Sequence, residues 1–213
     1  MTWNTTALST ANVDSTSDNI ASGLNELKLG LDRLNEVLTH PTSNSTSAMA
    51  LSSQSVIQVA QASYTTWVSI PGSTGSNIIP LDDTIPQRTE GYGVLTLSFT
   101  PKSASSTIVL RASGSALCGG STLYDSAAAA LFTDSTLNAL QSTWLTTIFT
   151  AGDNILANLS MLNYHSSGST TTRVYSLRIG PCTSTGTVIL NGNNGSRLFG
   201  GTSGITLQAL EIL

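Results

Sequence analysis

The chain has 213 residues, 39% of them hydrophobic and only 9% charged, with a formal net charge of −4. Charged residues usually make up about a quarter of a globular domain; here serine and threonine, about 30% of the chain, stand in their place. The thin acidic charge, with no basic run, excludes the footprint of a nucleic-acid binder, and no stretch reaches the roughly 18 apolar residues of a membrane-spanning helix. A high apolar share with clear alternation argues against disorder. A Ser-, Thr- and Gly-rich β protein with few charges fits secreted or particle-surface proteins better than a cytosolic enzyme.

Residues 1–12 (MTWNTTALSTAN) are polar apart from Trp3, Ala7, Leu8 and Ala11. Trp3 in this setting belongs either to a disordered terminus or to a peg inserted into a partner. The start lacks the basic and apolar regions of a signal peptide, so synthesis in a cytosol is expected. Ser15-Thr16-Ser17-Asp18 supplies a helix N-cap with an acid three residues on.

Ile20, Leu24, Leu27, Leu31, Leu34 and Leu38 then follow at alternating spacings of four and three, and Val13 extends the series backwards. A 3.5-residue repeat keeps a narrow apolar stripe on one face, which is shielded only by other copies of itself. A helix lying on its own domain would show a broader stripe, whereas the flanks here are mostly small or polar, Gly23 and Gly30 among them. The two glycines relieve crowding beside the seam and favour three helices over two. At about 1.5 Å per residue the rod is only about 38 Å long, so a larger domain must support it. His40-Pro41 stops the helix, because proline disfavours helical geometry in the residue before it.

A Ser/Thr-rich connector follows over 41–62, and a β domain over 63–213, with the period changing to two beyond Ser55. Strands are predicted over 63–70, 94–100, 106–117, the AAAALFTD and LNALQSTWLTTIF segments, 158–164, 173–179, 187–190 and 205–213, with a long loop over 72–93. Ala127 to Ala130 has helical propensity, but Phe132 and the nearby turn favour a strand. Turn signals every 8 to 15 residues point to an antiparallel jelly-roll β-sandwich. Cys118 and Cys182 fit no zinc pattern; two free thiols and a bridge between neighbouring strands both stay open.

Several stretches of the β region resemble a known family. IPLDDTIPQRTEG (79–91), LTLSFTPKSASSTIVL (95–110), ALFTDSTLNAL (130–140) and TVILNGNNGSRLFGGTSGITLQALEI (187–212) are similar to the C-terminal knobs of tailed-bacteriophage fibre proteins. Those knobs look like tumour-necrosis-factor or C1q jelly rolls packed as trimers. The opening, with Trp3, Leu8, Asn12 and Asn19, more loosely resembles the short segments that dock phage fibres to the particle. The resemblance implies a homotrimeric fibre or head spike: a docking peg over 1–12 using Trp3 and Leu8, a coiled coil over 13–40, and a knob facing the host. Its expected partners are two copies of itself, a head, collar or tail protein, and a host-surface glycan or protein; its place is the virion, after synthesis in the host cytoplasm. A capsid or collar decoration spike is the alternative, and a cellular C1q-like lectin or a polysaccharide depolymerase is more remote.

No cofactor, metal or catalytic centre is expected. His40 and His165 are the only histidines. A Ser/His/Asp arrangement on His165 lacks a G-x-S-x-G elbow, and Asp125, Asp134 and Asp153 read as turn residues before they read as a glycosidase pair. Asp82-Asp83 fits an Asx turn better than a cation site. Asn191-Gly192 and Asn194-Gly195 read as hairpin tips, with Arg197 beside them in a salt bridge or on a binding rim. Tyr92, Tyr124, Trp144, Tyr164 and Tyr175 are the aromatic candidates for glycan contact.

Overall fold

Past Ser55, apolar residues recur at alternate positions, and such runs form strands whose side chains face two ways in turn. The computed structural model describes residues 55–120, 125–147, 150, 152–193 and 195–213. The expected peg with Trp3 and Leu8, and the whole seam from Val13 to Leu38, lie outside the described residues. In chain order the strands are β1 (Val56–Tyr64), β2 (Val68–Pro71), β3 (Tyr92–Phe99), β4 (Thr107–Gly120), β5 (Ser126–Thr133), β6 (Gln141–Thr147), β7 (Asn154–Ser166), β8 (Arg173–Pro181), β9 (Gly186–Leu190), β10 (Gly192–Asn193), β11 (Ser196–Arg197) and β12 (Ile205–Ile212).

The strands make two antiparallel sheets and a small ribbon. The six-stranded sheet runs β1-β12-β4-β9-β2, with β7 also on β4; the four-stranded sheet runs β3-β8-β5-β6. Along one edge of β4, β12 pairs with residues 107–113 and β9 with residues 116–120, while β7 holds the other edge over 107–119. The chain crosses between the sheets repeatedly, and within them only β5 and β6 are consecutive neighbours. This is a mainly β, jelly-roll-like sandwich. Its core lies between the inner faces, where Ile108 and Leu110 of β4, Leu207 of β12 and Met161 of β7 meet Leu131 of β5 and Leu177 of β8.

The predicted strand over 63–70 is two strands. β1 starts earlier, at Val56, within residues assigned to the connector, and ends at Tyr64. The break has a polar cause: the Asn191 side-chain amide donates to the carbonyls of Tyr64 (2.8 Å) and Thr66 (3.1 Å). Those carbonyls are thereby satisfied outside the strand ladder.

β5 is buried along its whole length, which explains its run of alanines. Ala127, Ala129 and Leu131 face the main core. Ala128, Ala130 and Phe132 face outward into a second cluster closed by Ile79. Ile79 sits in the long loop between β2 and β3, which is tied across the outside of the four-stranded sheet. Ile79 N–H donates to Pro181 O at 3.0 Å, and Arg178 donates to the carbonyls of Glu90 and Gly91 at 2.6 Å each. The loop also bonds to the β5–β6 turn, through Ala139 N–H to Pro86 O and Arg88 N–H to Leu137 O.

Gly180 of β8 lets this loop approach, because a Cβ there would lie 1.9 Å from Asn77 O. Gly180→Ala is expected to lower stability by about 1–3 kcal/mol through overpacking, read as a lower urea midpoint with an unchanged m-value.

Glu211 lies in phase with the inward residues Ile205, Leu207 and Ala209 of β12 and is fully buried. Its carboxylate accepts the N–H of Lys102 (2.8 Å to each oxygen), the N–H of Ser103 (2.9 Å) and the Ser106 hydroxyl (2.6 Å). It thus closes one end of the core and clamps the β3–β4 turn.

Candidate functional site

The outer faces of the two sheets differ. The four-stranded sheet is covered over β5 by its own loop, whereas on the six-stranded sheet the register aligns outward apolar residues into cross-strand rows. One row is Val59, Leu210, Val109 and Tyr164, running from β1 through β12 and β4 to β7. Val56 pairs with Ile212 beside it. Toward the other end Ile189, Leu117 and Leu156 align across β9, β4 and β7. Between them run Gln61, Gln208, Arg111 and Leu162, then Ser63, Thr206, Ser113 and Ser160.

Residues opposed across strands have Cβ atoms about 5 Å apart, so each row is a continuous surface. Val56, Val59, Leu156, Leu162 and Tyr164 are 49% to 68% exposed. Arg111 carries the one charge in these rows. The outer face thus carries two apolar strips with little charge, separated by the mostly polar Gln61–Leu162 and Ser63–Ser160 rows.

The structure sets two of the carboxylate candidates far apart. Asp125 and Asp134 flank β5 at opposite ends, nine residues and roughly 30 Å apart; carboxylates that cleave a glycoside lie within about 10 Å. Asp125 is buried and accepts the hydroxyls of Thr183 and Thr185, the latter at 2.7 Å, capping the β8–β9 turn. Asp134 and Asp153 are exposed turn residues. Asp82 Oδ1 accepts the N–H (2.9 Å) and hydroxyl (2.5 Å) of Thr84, an Asx turn; these bonds, the hydroxyl's first, hold its carboxyl below the usual range.

His165 is half-buried, with Nε2 2.9 Å from the Tyr175 hydroxyl and Nδ1 3.3 Å from Asn163 Oδ1. Burial, and then the charge of Arg173, push its pKa down. Both ring nitrogens face neutral partners, so no carboxylate orients this ring as a general base. His40 lies outside the described residues. Cys118 and Cys182 are free thiols. Burial raises them to about 11 and about 12, helped by the charge of Asp125 at Cys118 and by Cys118 at Cys182. Among the described residues no group of three His, Cys, Asp or Glu is placed to hold a metal, and no helix is long and apolar enough to cross a membrane.

Of the aromatic candidates, Tyr175 is fully buried and Tyr92 is half-buried against the core, while Tyr124 lies outside the described residues. Tyr164 belongs to the apolar rows. Trp144, 58% exposed, stands on the other sheet, where its indole N–H donates to Thr146 O at 3.1 Å and fixes the ring.

No family model matches the sequence, and no curated protein matches it. Among solved structures, that of infectious bursal disease virus Gt strain is similar at 14% identity over 75% of this chain and 39% of that chain, with a TM-score of 0.32. Dimeric latent PorU from Porphyromonas gingivalis is similar at 11% identity over 76% of this chain and 13% of that chain, with a TM-score of 0.34. This chain therefore spans well under half of either, and matches at this level carry no weight for function.

The sequence reading missed the detour between β9 and β12. Asn191 is not a hairpin tip: it leaves β9 at φ 57, a left-handed geometry that asparagine tolerates better than most residues, and it is buried. The hairpin pairs Gly192 with Arg197 and Asn193 with Ser196, with Gly195 (φ 80) in the turn. The Arg197 guanidinium packs against Gly201. Beyond it Leu198 is exposed, and Phe199 is 76% exposed with φ 51. The sequence signal for this tip was Leu198-Phe199 between an arginine and a glycine pair, an apolar couple too short to be a strand.

Proposed function

We propose that the chain is a non-enzymatic structural protein of a tailed-phage virion, a homotrimeric fibre or spike. The observation that carries this reading is the pair of apolar strips that, among the described residues, stand exposed on the outer face of the six-stranded sheet. Such a face needs an occupant, and a second copy of the same chain is the natural one, because the heptad seam over 13–38 also needs copies of itself. In this reading the 1–12 segment, through Trp3 and Leu8, docks on another virion protein, and the sandwich is the knob that meets a host-surface glycan.

Packing the six-stranded sheets together hides Tyr164 and leaves Trp144 outward, as the aromatic free to stack on a sugar ring. Sedimentation of the purified full chain tests the assembly: a trimer at micromolar concentration is expected, and a persistent monomer would end the proposal. Trimers of this protein are further expected to block particle adsorption to host cells. Trp144→Ala should weaken that block at least tenfold without changing the sedimentation. If the intact trimer blocks nothing while its loss changes particle stability, the knob is a decoration rather than a receptor binder.

A further inference from the structure

We infer that the detour between β9 and β12 is a contact arm, with Leu198 and Phe199 of one copy seated on the outer apolar residues of β7 in the next. This rests on the homotrimer proposed above and specifies how its copies engage. Phe199 combines two unfavourable features, a left-handed backbone that crowds a β-carbon and a ring that is 76% exposed.

The tip is held in this state. Thr202 donates to Phe199 O from its N–H (3.1 Å) and its hydroxyl (2.8 Å), Gly201 N–H donates to Leu198 O (3.1 Å), and Leu198 N–H donates to Asn191 O (3.2 Å). An apolar tip fixed in a strained, solvent-facing conformation is preorganised for a partner, since little is left to order on binding.

Its placement selects the partner. The detour leaves the six-stranded sheet beside Gly114, where a Cβ would lie 3.0 Å from Ile205 Cα. The detour packs on Tyr64, Thr65 and Trp67 at the junction of β1 and β2, so its tip stands on the side of the six-stranded sheet away from β7. At the same height on the far edge, Ser160 of β7 pairs with Ser113, with Leu162 above it and Leu156 below. Rotation about an axis along the strands preserves height and brings the arm of one copy to these leucines of the next.

Arm and β7 are different patches at opposite sides of one sheet. Contacts of that head-to-tail kind close into a ring when the rotation between copies closes, as in a trimer, whereas twofold contacts use one patch twice. A phenylalanine buries roughly 150–250 Å², against about 800 Å² per partner in a standard interface. The arm therefore needs a partner that also covers the apolar rows, and a second copy supplies that surface. The heptad pattern over 13–38 calls for the same occupant, and the described chain begins at Ser55, beside Leu213.

The test compares the full-length chain with Phe199→Gly and Phe199→Asp. Glycine accepts φ 51 without strain, so the subunit keeps its thermal midpoint while losing the contact. The trimer dissociation concentration is expected to rise at least tenfold in Phe199→Gly and further in Phe199→Asp. Pairing Phe199→Cys with Leu162→Cys is expected to give covalent dimers and trimers that neither single variant gives. A wild-type trimer with both Phe199 variants assembling at wild-type concentrations, and no cross-link, overturns the arm and leaves the trimer standing. A wild-type monomer overturns both.

Discussion

Tyr164→Glu is expected to dissociate the proposed homotrimer while leaving the subunit folded. Tyr164 is 61% exposed in the isolated sandwich, so a carboxylate there stays solvated in the monomer and costs little. Between copies the same carboxylate would be buried among Val109, Leu162 and a neighbour's apolar residues, and Arg111, on the adjacent row, is the one cation near it. A buried charge without a built partner costs about 3–5 kcal/mol, or roughly 10²–10⁴ in association constant, and a bond to Arg111 would offset part of it. Sedimentation across a concentration series would show it as a monomer under conditions where the parent is a trimer. Thr96→Glu, an exposed position on the other sheet, is the control and should change neither association nor stability by more than about 0.5 kcal/mol. Equal assembly of Tyr164→Glu and the parent would mean that this face is not the interface.

Glu211→Ala is expected to be the most damaging single change to the subunit itself. It takes the acceptor from the N–H groups of Lys102 and Ser103, leaves the Ser106 hydroxyl with Ser103 O alone, and opens one end of the core. Breaking a buried, hydrogen-bonded charge site costs about 3–5 kcal/mol, and in a domain of this size that lowers Tm by roughly 10 °C. The same residue makes stability depend on acid. Burial alone would raise its carboxyl, but the Ser106 hydroxyl and the Lys102 and Ser103 N–H groups, with the Lys102 charge, outweigh it and hold the pKa below the ordinary 4.5. As pH falls below about 4.5 the unfolded chain takes up the proton first, so stability falls with pH in that window and is fully present above it. Glu211→Gln should flatten the Tm-versus-pH curve below pH 4.5; a parallel curve would mean that the clamp does not depend on charge.

Where the sequence alternated over exposed and buried faces, as in VLTLSF before Pro101, the strand could be read directly. The alanine run of β5 was read as a strand against its helical propensity, and the structure supplies the physical reason: both of its faces are covered, and the overlying loop needs small side chains beneath it. Other features depend on partners distant in sequence. The break between β1 and β2 is made by Asn191, more than a hundred residues away. Glu211 did leave a trace, being in phase with Ile205, Leu207 and Ala209, where a charge has no place without partners. The apolar outer rows were invisible for a different reason. A residue such as Leu117 or Tyr164 becomes part of a surface only once the register sets it beside Leu156 or Val109, and no local pattern encodes that.

The position of β12 between β1 and β4 has a consequence for biosynthesis. Val56 pairs with Ile212, so β1 waits on the ribosome for β12, far later in the chain, before its ladder can close. Until then both neighbours of that gap offer bare edges to other nascent chains, and pairings so remote in sequence form slowly. Closure of this sheet is therefore expected to be late and sensitive to crowding by sibling chains. Removing β12 should leave an aggregating chain rather than a smaller sandwich.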